Sequence, residues 1–179
     1  MAQIVIVSGP PGAGKSSVCE SLCERYDRTV HLETDDAYAW IRMGFVRPWH
    51  TASARQNETV SRACARAASA FAQDRYGVFI DGVIGPHILP LYMQELKLAG
   101  VPVHYVVLLP PLEEVIRRSK EREKVIARSE GMFERVYPMF TDAAQLPGFT
   151  IDSTTMTAAQ TADAVMAACA RGDALVLGG

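Results

Sequence analysis

Apolar positions along the chain gather into short continuous runs separated by longer stretches of helical character. Ile4 to Ser8 is a β-branched run that stops at Gly9, and Lys15 to Tyr26 reads as a helix. Thr29 to Glu33 is strand-like and stops at the acidic pair Asp35-Asp36. Ser53 to Asp74 is Ala-rich with apolar residues at helical spacing, and Val78 to Ile80 is a strand ending in Asp81. Ile88 to Ala99 predicts a helix closed by Gly100, and Val103 to Leu109 a strand stopped by Pro110-Pro111. Leu112 to Arg128 is a densely charged helix, and Ser129 to Gln145 a further one. Phe149 to Asp152 is a short last strand, and Ala158 to Ala170 a last helix closed by Gly172. The apolar segment Leu175 to Gly179 reads as a frayed end or a contact with another subunit.

Strands of this length without alternation are buried on both faces, which calls for a parallel sheet covered by helices. Strand-helix alternation points the same way. The expected fold is one domain over residues 1–179, a three-layer α/β/α arrangement with about five parallel strands. Ligands in such sheets bind at the carboxyl ends of the strands. Gly9, Asp35, Asp81 and the 152–154 turn would share that edge.

Composition narrows the functional classes. The 179 residues are 49% hydrophobic and 21% charged, which suits a globular domain, and a net charge of -2 gives no field to recruit nucleic acid or an anionic membrane. The longest apolar runs are too short to span a bilayer. No basic segment precedes the first apolar run, so a signal peptide is not expected. Cys19 and Cys23 stand one helical turn apart, but nothing completes a metal set with them. With Cys64 and Cys169 they read as buried free thiols, which implies a reducing, cytoplasmic setting.

The chemistry starts at Gly9-Pro10-Pro11-Gly12-Ala13-Gly14-Lys15-Ser16, which matches GxxxxGK[ST] in full. Glycines let the backbone curl so that successive N–H groups face phosphate oxygens, and the following helix presents its positive end. The cradle would comprise Gly9, Gly12, Ala13, Gly14, Lys15, Ser16 and Ser17, with Lys15 on the β- and γ-phosphates and the Ser16 hydroxyl on Mg²⁺. Val78-Phe79-Ile80-Asp81 has the pattern of a second Mg²⁺-site carboxylate. Gly82 stands next, where a hydrolytic machine would place a water-activating Glu, and no Asn-Lys-x-Asp guanine-reading motif occurs. A kinase, whose attacking group is a substrate hydroxyl, is what remains.

The chain resembles the small P-loop kinases, the group with shikimate, gluconate and adenylate kinases, chloramphenicol phosphotransferase and zeta-toxin-like proteins. The order of elements carries the likeness over most of the chain, and the P-loop is its specific part. The resemblance implies a nucleoside-kinase-like P-loop NTPase fold, with ATP and Mg²⁺ as cofactors. It also implies an Asp after the second strand that orients or deprotonates the acceptor hydroxyl. Asp35 is the favoured residue, with Asp36 close behind; an acidic helix N-cap is the alternative reading of either one. The group carries an Arg-bearing lid, which falls here at about 117–131. Arg117 lies where the group stacks an Arg near adenine, and Arg122 or a neighbour would reach the γ-phosphate. Arg118 and Arg128 are weaker candidates, since Glu113–Arg117 and Glu114–Arg118 also form i,i+4 surface pairs. Ser153 and Thr154 match the turn whose backbone meets adenine in the group.

The segment Tyr38 to His50 holds both tryptophans, two arginines and a histidine, and is expected to help build the acceptor pocket. Arg42 and Arg47 could hold an anionic group on the acceptor. Tyr38 and Trp49 would give aromatic walls, Gln56 and Asn57 could bond sugar-like hydroxyls, and Gly82 opens a loop facing the same cleft. The partners expected are ATP and a small hydroxylated acceptor, with no membrane. Two other readings stand beside this one: a nucleotide or polynucleotide 5′-kinase, where the charge disfavours a polynucleotide but a nucleoside monophosphate stays open through Arg42 and Arg47, and an ATP-binding switch that transfers nothing.

Overall fold

The computed structural model of the chain describes residues 2–121, 132–141 and 146–179. In chain order its strands are β1 (Ile4–Ser8), β2 (Thr29–Glu33), β3 (Gly77–Gly82), β4 (Val103–Leu108), β5 (Phe149–Ile151) and β6 (Leu175–Leu177). The helices are α1 (Lys15–Cys23), α2 (Thr34–Ala39), α3 (Ala54–Gln73), α4 (Leu89–Leu96), α5 (Leu112–Glu121), α6 (Met132–Val136) and α7 (Ala158–Arg171). Five strands run parallel in the order β2-β3-β1-β4-β5, as the unbroken apolar runs require.

Successive strand residues point to opposite faces, and both faces here are apolar. Ile4 and Ile6 of β1 join Ile80 and Tyr105 under α3 and α4, in a core that also takes Ala65 and Ala68. Val5 and Val7 join Phe79 and Val106 under α1 and α7, with Leu22, Ala162 and Val165. Small side chains on α3 let that helix lie close to the sheet. Helix α7 is bounded by its own chemistry. Thr157 and Gln160 form a reciprocal capping box at its start, and Gly172, with φ 82°, closes it.

Two elements depart from the sequence reading. Asp35 and Asp36 lie in the first turn of a short helix, α2, that the sequence reading did not identify, and Glu33 rather than either Asp is its N-cap. Leu175–Leu177 is a sheet strand, antiparallel to the start of β4, and not a frayed end. The outer edge of β4 is therefore shared: Val106 to Leu108 pair with β5, while Val103 and His104 pair with β6. A three-residue strand has no signature of its own, and a partner edge is what makes it one. The helix expected over 112–128 is described to Glu121, and the one over 129–145 appears as α6 with a 3₁₀ turn at Tyr137–Phe140.

His104 is buried on the α7 side of β4, and its Nδ1 has no hydrogen-bond partner. Burial holds its pKa below the ordinary 6.5 because the imidazolium would be stranded without water. The unfolded chain therefore binds the proton more readily than the folded one. Stability that is intact above pH 6.5 should fall as the medium is acidified through that range. His104→Phe should flatten this part of the pH–stability curve, measured by urea unfolding between pH 7.5 and 5. A curve identical to wild type would refute the assignment.

Candidate active site

The strands end in a cleft of about 450 Å³, built from the P-loop, the ends of β2 and β3, α2, α3 and α6. The P-loop leaves β1 at Gly9 (φ 140°) and passes through Gly12 (φ 84°) and Gly14 (φ 95°), conformations in which L side chains are strained. Gly12 also packs so closely on Val115 O and Ser119 Oγ of α5 that a Cβ would not fit. Helix α1 begins at Gly14 with no side-chain cap and no acidic residue in its first turn. A helix start of this kind presents its positive end to an anion. Lys15 Nζ donates to Pro10 O at 3.2 Å and lines the cleft with Ser16.

Asp81 stands at the end of β3, in register with Val7 of β1 and Glu33 of β2. Its carboxyl is buried, which alone would raise its pKa, but His31, Lys15 and Ser16 outweigh burial and hold it below the usual range. His31 Nε2 sits 3.5 Å from Asp81 Oδ2, a distance too long for a sound hydrogen bond and better described as an ion pair. Burial would lower the His31 pKa, but Asp81 reverses that and raises it, with help from Glu33 and Glu20. An ionised carboxylate beside a serine hydroxyl is an all-oxygen donor set, and that chemistry suits Mg²⁺.

Thr34 is buried against Gly82, where a Cβ on Gly82 would collide with the threonine side chain. This contact packs the start of α2 on the end of β3. Gly82 does line the cleft, but its close approach is to Thr34 of its own chain. Asp35 then lines the cavity and Asp36 does not, although both side chains are exposed. Partial desolvation raises the Asp35 pKa, Lys15 opposes this, and Asp81 and Asp36 add to it. Glu33 is raised by the same crowding, with desolvation first.

The loop between α2 and α3 is pinned from α3. Gln56 bonds Val46 through both ends of its amide, accepting from N at 2.8 Å and donating to O at 2.6 Å. Asn57 Nδ2 donates to Pro48 O at 2.7 Å and to Ser53 Oγ at 3.0 Å, while its Oδ1 accepts from Tyr38 at 3.0 Å. The two amides singled out for acceptor hydroxyls are engaged in holding this loop. Tyr38, Trp49 and Asn57 line the cavity. Arg42 and Arg47 are exposed and do not.

On the opposite side, Arg117 pairs with Glu114 at 2.8 Å through Nε and again through Nη2. Arg118 pairs with Glu114 at 2.6 Å and donates to the carbonyls of Ser153 and Thr154, each at 3.0 Å. These two guanidiniums pull Glu114 down to about 2. Arg118 is thus the side chain that ties α5 to the 153–154 turn, and Ser153 Oγ lies 3.5 Å from Ala13 O of the P-loop. Arg122 and Arg128 lie outside the described residues, as does most of the expected lid.

A family model for the AAA domain matches residues 4–147. The chain belongs to that family. Among solved structures, this AAA-domain chain superposes on the tunicamycin resistance protein of Deinococcus radiodurans with a TM-score of 0.69, at 21% identity over 99% of both chains. It superposes on the APS kinase of Mycobacterium tuberculosis, solved with AMPPNP and APS, with a TM-score of 0.70. The identity there is 16%, over 94% of this chain and 98% of that one. The shikimate kinase of Acinetobacter baumannii, solved with shikimate, gives 0.61 at 20% identity over 96% and 94%. These likenesses show a P-loop kinase-like α/β fold. A search of the curated proteins finds no match to the chain.

The sequence reading did not single out His31, or the wall formed by Met132, Arg135, Val136 and Met139. Met132, Val136 and Met139 are spaced about one helical turn apart, a stripe visible in the sequence whose facing is not. The Gly82–Thr34 contact can be tested directly. Gly82→Ala should cost about 1–3 kcal/mol in urea unfolding, as overpacked sites do. Adding Thr34→Ala should recover much of that loss, because the two changes share one contact. Additive losses would show that the contact does not hold α2.

Proposed function

We propose that the protein is an ATP-dependent phosphotransferase that moves the γ-phosphate of ATP to a hydroxyl of a small molecule. One observation carries this reading: Lys15 and Asp35 line a single cavity that continues past them into a pocket walled by α3 and α6. A phosphate site alone would suit a switch. A carboxylate beside that site, with room beyond it for a second molecule, suits transfer.

In this reading the P-loop N–H groups and Lys15 hold the β- and γ-phosphates. Arg118 and the 153–154 turn flank the base end, with Arg117 nearby. Ser16 and Asp81 would hold Mg²⁺, which when bound supplies charge neutralisation on the phosphates. Asp35 accepts a hydrogen bond from the acceptor hydroxyl. The hydroxyl oxygen bonds to the γ-phosphorus as the bond to the bridging oxygen breaks; ADP leaves and the proton passes to Asp35. The lid residue Arg122 is assigned to the developing charge on the γ-phosphate. Desolvation of Asp35 makes it a stronger base than a free carboxylate, which helps it take that proton. The four cysteines are free thiols, which supports a reducing, cytoplasmic compartment. Among the described residues, no helix is long and apolar enough to cross a membrane.

The test is turnover with Mg-ATP and pooled hydroxylated compounds, followed by product mass. Lys15→Met should lower kcat/KM at least about 10³-fold. Asp35→Asn should cost about 10²- to 10⁴-fold, and Asp36→Asn no more than about threefold. In wild type, the acid limb of kcat/KM should fall above the ordinary carboxyl value of 3.8, since Asp35 works only when ionised. ATP binding with no product from any pool would move the assignment to a nucleotide-operated switch.

A further inference from the structure

We propose that the acceptor is an uncharged amphiphilic alcohol, with one hydroxyl presented to Asp35 and an aryl or branched aliphatic body filling the rest of the cavity. This rests on the phosphotransferase reading above and names its substrate class.

The cavity is chemically divided. Lys15, Glu33, Asp35 and Asp81 belong to the P-loop, the ends of β2 and β3 and the first turn of α2, and Arg135 on α6 is the one charged residue away from them among the described lining residues. Beyond them the wall is made by Val60, Ile84, Ile88, Met132, Val136 and Met139, with the Tyr38 and Trp49 rings beside them. Water leaves such a surface readily, and an apolar body replaces it at a gain that grows with its size.

Three polar side chains on this wall, Asn57, Tyr38 and Ser61, are engaged within the protein, while the exposed His87 stands at its rim. Both Asn57 amide hydrogens go to Pro48 O and Ser53 Oγ, and the Tyr38 hydroxyl goes to Asn57. Ser61 is buried, beside the Tyr92 hydroxyl. A polyol placed here would surrender its water without regaining matching bonds. An anion would fare worse. The two arginines of the α2–α3 loop lie outside the cavity. Arg135 is an exposed side chain whose Nη1 is 3.5 Å from Trp49 O. Lys15 is the one cation at the phosphate end among the described lining residues, and three carboxylates share that end with it. Against the described lining residues, sugars, hydroxy acids and nucleotides are therefore poorer matches than a neutral alcohol with an apolar body.

Calorimetry on the full chain with Mg-ADP present tests the pocket without requiring turnover. The probes are the series from benzyl alcohol to 4-phenylbutan-1-ol, set against glucose and glycerate. Affinity should rise roughly threefold to fourfold per added methylene, as burial of each CH₂ predicts, and glucose and glycerate should bind at least tenfold more weakly than 4-phenylbutan-1-ol. Met139→Glu changes a partly exposed wall residue and should weaken 4-phenylbutan-1-ol at least tenfold while leaving ADP affinity unchanged; Ile88→Asn should act alike. Tighter binding of glucose or glycerate, or no dependence on chain length, would overturn the proposal. So would wild-type affinity in both variants. The expected binding pattern without a phosphate ester on incubation with Mg-ATP would support the pocket's chemistry and sink the transfer reading instead.

Discussion

With both faces of β1, β3 and β4 sealed under helices, the sheet is open to a ligand only where its strands end. That constraint sets the location of everything else. An apolar strand buried on two sides leaves little place along its length for a carboxylate, so the acidic residues stand at the carboxyl ends. Ser8, Asp81 and Glu33 stand there, followed at once by the P-loop and α2. The connections are then drawn tight. Ser8 Oγ donates to Ile84 O at 2.9 Å and accepts from Ile84 N at 3.0 Å, and the Tyr105 hydroxyl donates to the same carbonyl at 2.6 Å. Side chains from two strands thus fix the loop that follows a third.

Charge is the second consequence of that edge. Glu33, Asp35, Asp36 and Asp81 crowd together with Lys15 close by, and the carboxyls do not share the strain equally. Asp81 is favoured as an anion by His31, Lys15 and Ser16, whereas Asp35 and Glu33 are disfavoured first by desolvation and then by Asp81 and Asp36. Environment alone therefore separates a more acidic carboxyl, suited to an oxygen donor, from a more basic one, although the residues are chemically alike.

Much of this was legible in the sequence, and what was not has identifiable causes. The five parallel strands show as unbroken apolar runs, and the P-loop shows because its backbone needs glycine at set positions. Placing Asp35 and Asp81 on one edge needed only the rule that strands end where ligands bind. Helix α2 escaped because six residues carry too little periodicity, and β6 because three residues become a strand only beside β4. Arg117 and Arg118 differ by one residue, about 100° around a helix, and only the packed position of α5 decides which meets the 153–154 turn. Gln56 and Asn57 bond backbone carbonyls in the adjoining loop, contacts that no residue pattern announces. The arginines at 42 and 47 looked like anion ligands by composition, and the path of the loop turns them outward to solvent.

The anchoring of the α2–α3 loop by Gln56 and Asn57 has a consequence for how such a protein can change over generations. The loop's shape depends on two amides reaching its backbone, so its exposed side chains are largely free to vary while Ile41 and Trp49 stay packed on the core. Residues such as Trp40, which is 66% exposed, can be exchanged without disturbing sheet, P-loop or Asp35. Selection can therefore reshape the mouth of the pocket one substitution at a time while the phosphate end stays intact, a division that makes diversification cheap.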